Sequence, residues 1–516
     1  MRIAFSGCGQ HFWLPIAEQI EQEGGHEVCL WYGGMRIRDA VRERFAKVLM
    51  QSGRATRNGV LSPDFADIDP APLDAGLLAA MAPHESIAMK MMERFDLCDY
   101  FPYQDRARLY HRVLMCVVAI VDYVRPDAVV FNIAPHVVSD YLLYALCQVR
   151  GIPTMMFERT LLPDRVFAWQ RFEDGSVPIL QDYGNRRASF DGATVDLADD
   201  LEAYLAEMTG GYDKAMPPRL RHKLAGAVKT AGKGSSLISS AARAVRVLAA
   251  LARQGAPVSG KRRGRPFEDQ PMGRLEFIGY RLDVRRKRRR LLETYQSLAR
   301  RPDLNKPYVY AALQCQPERQ ASPMGGVYAH QNLMVDALAK CVPDGWQVYV
   351  KEHISQYNDY QTPERGRDET YYRDMAALPN VTLVPMDAPA FDLIDKARAV
   401  ATISGSSGWE AVVRGRPALL FGNAWYRGCD GVYHVPDTDD LRQALVAVTG
   451  GTVPDPAMVR IFVDVVDAHS VSAFVDPVME AVTGIAPEEN GRRLAGLVMD
   501  FLSNTDMHQR TGAGAR

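Results

Sequence analysis

Short apolar runs rich in β-branched residues recur along this chain, each followed by a longer amphipathic stretch, and they gather into two groups. The first group holds residues 2–6, 27–32, 128–133 and 154–157; the second holds 308–313, 347–351, 381–384, 399–403 and 418–421. Helical periods lie between most of them, as at 142–149 and 331–340. Strands covered by helices on both faces lose the in–out alternation of a one-sided sheet and read as unbroken apolar runs. The pattern predicts an α/β protein with two Rossmann-like domains built on parallel sheets. A length of 516 residues leaves room for two cores.

The break between the groups is basic. Residues 214–301 hold 23 Lys and Arg against five Asp and Glu, although the net charge of the chain is −1. Within it, 235–253 has a helical period: Leu237, Ile238, Ala241, Val245, Leu248 and Ala252 share one face, with Arg243, Arg246 and Arg253 opposite. Such a helix suits an anionic membrane surface or a calmodulin-like groove, or it packs on its own domain with a solvated charged face. Nucleic acid is not expected, because no aromatics interleave the charges and no nucleic-acid module is present. The expected divisions are 1–210, an N-terminal Rossmann-like domain; 211–302, a basic helical insert; 303–470, a C-terminal Rossmann-like domain; and 471–516, C-terminal helices with a flexible tail.

Eight cysteines, with no pair in a C-x-x-C spacing, argue against a disulfide framework or zinc site and fit a reducing compartment. The first residues enter a strand without a signal-peptide pattern, and the apolar stretch 113–121 is too short to span a bilayer. The expected location is cytoplasmic, peripheral to the inner membrane through the basic segment.

Chemistry-bearing residues cluster where strands end. Ser404-Gly405-Ser406-Ser407-Gly408 follows an apolar strand and precedes a helical stretch containing Glu410. Small residues there let a ligand approach the backbone, and a helix N-terminus offers free N–H groups to an anion; the same turn also reads as a simple helix cap. Lys351-Glu352-His353 ends a second strand, and Gln314, Gln316 and Glu318 follow the first strand of that half. In the first half, the loop Ser6-Gly7-Cys8-Gly9-Gln10-His11 fails the G-x-G-x-x-G pattern but places His11 near the mouth of the sheet. His136, Asp140 and Glu158 also follow strands and are the candidates for a general base. Asp67-Ile68-Asp69 has a D-x-D form, but it sits among prolines, and no metal site is expected.

Three of these segments, 314–326, 349–353 and 404–411, with Gly415-Arg416-Pro417-Ala418, resemble the bacterial capsule polysaccharide biosynthesis family, which includes the Kdo transferases of the capsule linker. The likeness is best over residues 305–435. It implies a GT-B architecture, with two sheets facing a central cleft, a nucleotide-sugar donor in the C-terminal domain, a glycan or lipid-linked acceptor, and transfer without metal or other cofactor. CMP-sugar enzymes related to this family use a His-Pro motif and a serine motif. His353, Ser406 and Ser407 match them, whereas Ile354 stands where proline is usual. The resemblance therefore implies donor contacts from Gln316, Glu318, Lys351, Glu352, His353, Ser404, Ser406, Ser407, Gly408 and Glu410, with CMP preferred. A nucleotide-sugar 2-epimerase on the same scaffold, and a non-catalytic factor that binds glycan or lipid carrier, are the competing readings.

Overall fold

The computed structural model describes residues 1–96, 101–211, 261, 264–269, 273–357 and 365–512. The basic amphipathic stretch 235–253 lies outside the described residues.

Thirteen described strands form two sheets. In chain order they are β1 (Arg2–Ser6), β2 (Glu27–Tyr32), β3 (Leu49–Gln51), β4 (Ala128–Phe131), β5 (Thr154–Arg159), β6 (Arg165–Trp169), β7 (Tyr308–Ala312), β8 (Gln347–Lys351), β9 (Val381–Leu383), β10 (Ala399–Thr402), β11 (Ala418–Leu420), β12 (Val432–His434) and β13 (Val471–Ser472). The first sheet runs β13-β6-β5-β4-β1-β2-β3 and the second β12-β11-β10-β7-β8-β9.

The second sheet is parallel throughout. Renumbered from its own first strand, its order is 3-2-1-4-5-6, the doubly wound order whose winding reverses between strands 1 and 4. Helices therefore cover both faces, and a crevice opens at the C-terminal ends of β7 and β10. The first sheet has the same reversal between β1 and β4, which pair in parallel. One expectation needs correction: this sheet is not all-parallel. β6 runs antiparallel to β5, and β13 antiparallel to β6. A five-residue connection from Arg159 to Arg165 is far too short for a parallel crossover, which needs a dozen or more residues.

Side chains alternate across the central strands. Ile3 and Phe5 pack with the cluster around Trp13 and Leu494, whereas Ala4 packs on the opposite side with Val129. In the second sheet Val309 and Ala311 face one cluster and Tyr308 and Tyr310 the other. One apolar cluster runs from the first sheet into the second through Tyr183, Trp409, Trp425 and Phe462. The chain then crosses back. Pro456–Ala468 packs on Val177–Ala188, β13 joins the first sheet, and Pro487–Gly512 lies along Trp13–Gln22.

The basic region contributes one described long helix, Arg274–Leu298. Val284, Leu291 and Tyr295 form its buried stripe, spaced seven and four residues apart. Arg281, Arg285, Arg286, Arg289 and Arg290 stay exposed. Among the described residues no helix is long and apolar enough to cross a membrane.

Candidate functional site

A cleft of about 720 Å³ lies between the two sheets, at both winding reversals. Its second-domain wall is built by the loops after β7 and β10. Gln314 is pinned at its backbone by Gln331, which accepts from its N–H at 2.7 Å and donates to its carbonyl at 3.0 Å. Its side chain donates to Thr402 Oγ1, 2.8 Å, and lies over Gly405, where a Cβ would come within 2.2 Å of Nε2. Thr402 also accepts from Gly405 N–H, 3.2 Å, and Tyr426 Oη donates to Gly405 carbonyl, 2.5 Å. Ser404 Oγ donates to Gln320 carbonyl, 2.6 Å. The turn is thereby fixed from three sides.

The helix Ser406–Val413 begins there with Gly405 at its N-cap and no side-chain cap. Its first N–H groups have no intrahelical acceptor. Ser406, on the cleft wall, bonds the Glu410 carboxyl, which burial raises above its ordinary range. Ser407 Oγ is buried and has no partner. Gly408 serves packing: a Cβ there would meet Tyr426 Oη at 2.4 Å.

His353 also faces the cleft. Ser355 N–H donates to its Nδ1 at 3.1 Å, and Cys315 Sγ lies 2.9 Å from the same nitrogen. A backbone N–H can only donate, so Nδ1 is the acceptor and the neutral ring carries its proton on Nε2. Burial lowers its pKa, which keeps the ring neutral at pH 7.

The first domain supplies His136 with the opposite tautomer. Its Nδ1 lies 3.4 Å from Ala134 carbonyl, so that nitrogen carries the proton and Nε2 keeps a lone pair. Burial, then Arg94 and Arg319, push its pKa down to about 4. Asp140 sits in the first turn of Val138–Arg150 and does not line the cleft. Burial pushes its pKa up to about 6, against the hydrogen bond from Ser139 Oγ at 3.0 Å.

Several expected residues occupy other positions. Glu158 is on the wall, but its carboxylate is held by Arg319 through two bonds of 2.6 and 3.1 Å, which leaves it no role as a free base. Glu352 turns into the core, where it pairs with Arg367 at 2.8 Å, both fully buried, and accepts from Tyr372 Oη at 2.6 Å. Gln316 is buried between Arg367 and Ala329 carbonyl. Lys351 Nζ donates to Ala388 carbonyl at 2.5 Å and does not line the cleft. His11 is exposed and off the wall. Glu318, His353, Ser404 and Ser406 are on it. Asp67 and Asp69 are exposed on the surface.

Three wall arginines, Arg94, Arg159 and Arg319, escaped the sequence reading. Arg94 bridges the domains, bonding His136 carbonyl and, at 3.2 Å, Ser322 carbonyl. Arg319 directly follows Glu318, so the polar run of that loop was a signal for it. Arg94 lies in the short turn Met92–Phe95, and no strand marks it.

Fold and site together define an α/β protein of two Rossmann-like halves, with an uncapped helix N-terminus opening into the interdomain cleft. Over residues 220–437 the chain matches the family described as Capsule polysaccharide biosynthesis protein. No curated protein matches it in sequence. Among solved structures, the beta Kdo 2,4 transferase KpsC of Thermosulfurimonas dismutans is 13% identical, with 35% of this chain and 55% of that one covered and a TM-score of 0.22. The present chain thus spans about half the length of that transferase. A UDP-GlcNAc 2-epimerase from Neisseria meningitidis, bound to UDP-GlcNAc, is 12% identical over 91% of this chain and 99% of that one, with a TM-score of 0.24. A spinosyn rhamnosyltransferase, SpnG, complexed with spinosyn aglycone, is 13% identical over 90% and 95%, with a TM-score of 0.22.

Proposed function

We propose that the chain is a glycosyltransferase of capsule polysaccharide biosynthesis that takes a nucleotide-activated sugar, with CMP preferred, and transfers it to a glycan or lipid-linked acceptor. The observation that carries this reading is the pairing of imidazoles across the cleft: His353 with a proton on Nε2 on the donor side, His136 with a lone pair on Nε2 on the other. The donor phosphate would sit at the free N–H groups of Ser406 and Ser407. As the glycosidic bond breaks, charge on the leaving phosphate would be met by the helix N-terminus, the Ser407 hydroxyl, His353 Nε2–H and Arg319, without a metal ion. His136, or Asp140, would take the acceptor hydroxyl proton. The exposed basic face of Arg274–Leu298, with Leu275 and Leu282 also exposed, would hold the enzyme against anionic lipid.

The test is a thermal-shift titration of the full chain with CMP, UDP and their sugars. A ligand at about a hundredfold over its Kd stabilises by about 2.7 kcal/mol. Absence of any shift with every nucleotide would overturn the reading. Acceptor-free conversion of a nucleotide sugar would point to an epimerase.

A further inference from the structure

We propose that a second cavity, behind the loop carrying Cys315 and Pro317, binds the oxyanion of an acceptor sugar, a carboxylate or a phosphate, with Arg365 as its anchor. The acceptor assignment rests on the transferase reading above; the anion site itself does not.

This cavity measures about 310 Å³, and its walls include Lys90, Lys287, Asn332, Arg365, Thr370 and Tyr371. That is the small end of ligand pockets. It shares no lining residue with the cleft: Gln316 lines the second cavity, while its neighbours Cys315 and Pro317 line the cleft. The wall between them is one chain thick. Both domains contribute, Lys90 from the first and Arg365 from the second.

Of the four carboxylates around it, two hold ion pairs and a third caps a helix. Glu93 accepts from Lys90 at 2.9 Å, and Asp96 from Arg106 at 2.8 Å. Asp368 caps its helix by accepting from Tyr371 N–H at 2.7 Å. Asp374 is exposed at the rim. Arg367 is spent on Glu352. Arg365 differs: its Nη1 donates to Arg94 carbonyl and its Nη2 to Tyr280 Oη at 3.2 Å, both neutral acceptors. Its Nε is buried without a partner, and so is Tyr371 Oη. Two buried donors that lack acceptors, one of them cationic, line a cavity with a lysine on two of its walls. An oxyanion satisfies them through charge-assisted hydrogen bonds. Arg365 also grips the backbone of Arg94, whose side chain lines the cleft, so an anchored acceptor sits one bonded contact from the reaction site.

The experiment is calorimetric titration of the full chain with trigalacturonate, glucose 1-phosphate and neutral maltotriose, on wild type, Arg365→Gln, Lys287→Ala and Ser406→Ala. Lys287→Ala keeps the test alive if loss of the Arg365 interdomain bond prevents folding. We expect one anionic probe to bind and maltotriose not to, with affinity about tenfold weaker in Lys287→Ala and Arg365→Gln and unchanged in Ser406→Ala. The responding probe separates carboxylate from phosphate. Lack of binding by both anions, indifference to both cavity variants, or loss in Ser406→Ala would overturn the proposal. Nucleotide silence with Lys287-dependent anion binding would sink the transferase reading and leave the anion site standing.

Discussion

Glu158, at the end of β5, and Arg319, in the loop after β7, meet in a two-bond ion pair of 2.6 and 3.1 Å across the cleft, 161 residues apart in the chain. The pair is nearly dry, so removing one partner leaves an uncompensated charge at a cost of about 3–5 kcal/mol. Glu158→Gln should lower the midpoint of urea unfolding strongly. Arg319→Gln in the same background should restore part of it, and a double-mutant cycle reads the coupling. Arg319→Gln should also weaken nucleotide binding, which Glu158→Gln should not.

Ser407 separates binding from folding. Its hydroxyl is buried with no partner, so Ser407→Ala breaks no internal bond and places a better helix former in the first turn. Thermal stability should hold or rise, while nucleotide affinity falls about tenfold, the worth of one charge-assisted bond. Unchanged affinity by calorimetry would remove Ser407 from the donor site.

Acid and base dependence follow from two buried groups of opposite sign. Asp140 has its pKa raised to about 6 from an ordinary 3.8, so the fold favours its neutral form. Its contribution is full below the unfolded value and is lost as pH rises through 6. Asp140→Asn should therefore gain stability over wild type above pH 6, by up to about 3 kcal/mol. His136, lowered to about 4 from 6.5, works the other way, because the unfolded chain takes up the proton first and stability falls as pH drops from 6.5 towards 4. His136→Gln should flatten that limb. Denaturation curves between pH 4 and 8 check both.

Glu352 and Arg367 form a core pair with no exposed side-chain surface. Glu352→Gln should destabilise the protein by about 3–5 kcal/mol. Protein that remains folded should bind nucleotide as wild type does, since Glu352 lies off the cleft wall. Parallel unfolding and calorimetry measure this.

Arg285, Arg286 and Arg289 project from the basic helix into solvent. Changing all three to Ser should weaken sedimentation with vesicles containing phosphatidylglycerol, at about 1 kcal/mol per lost charge, with little effect on stability. Vesicles of phosphatidylcholine alone should bind neither form.

The central strands were legible because burial on both faces imposes a local pattern. β1, β2 and β8 begin and end where the apolar runs do. The serine turn was legible for a related reason: only small residues fit where Gln314 lies over Gly405 and Tyr426 reaches Gly408. The short edge strands β3, β12 and β13, and the antiparallel β6 that opens on Arg165, left no such trace. A strand covered by few neighbours need not be apolar, and its partner lies far away in sequence. The same distance hid the roles of the charged residues. Glu158, Lys351 and Glu352 end strands in sequence just as His353 does. Only the approach of Arg319, Ala388 carbonyl and Arg367 decides that the first is an interdomain tie, the second is turned away from the cleft and the third is core. The sequence by itself determined the central strands of the two sheets and the turns that end them. Which side chain faces the cleft, and with what proton on it, depended on contacts between residues up to 228 positions apart, which no local pattern encodes.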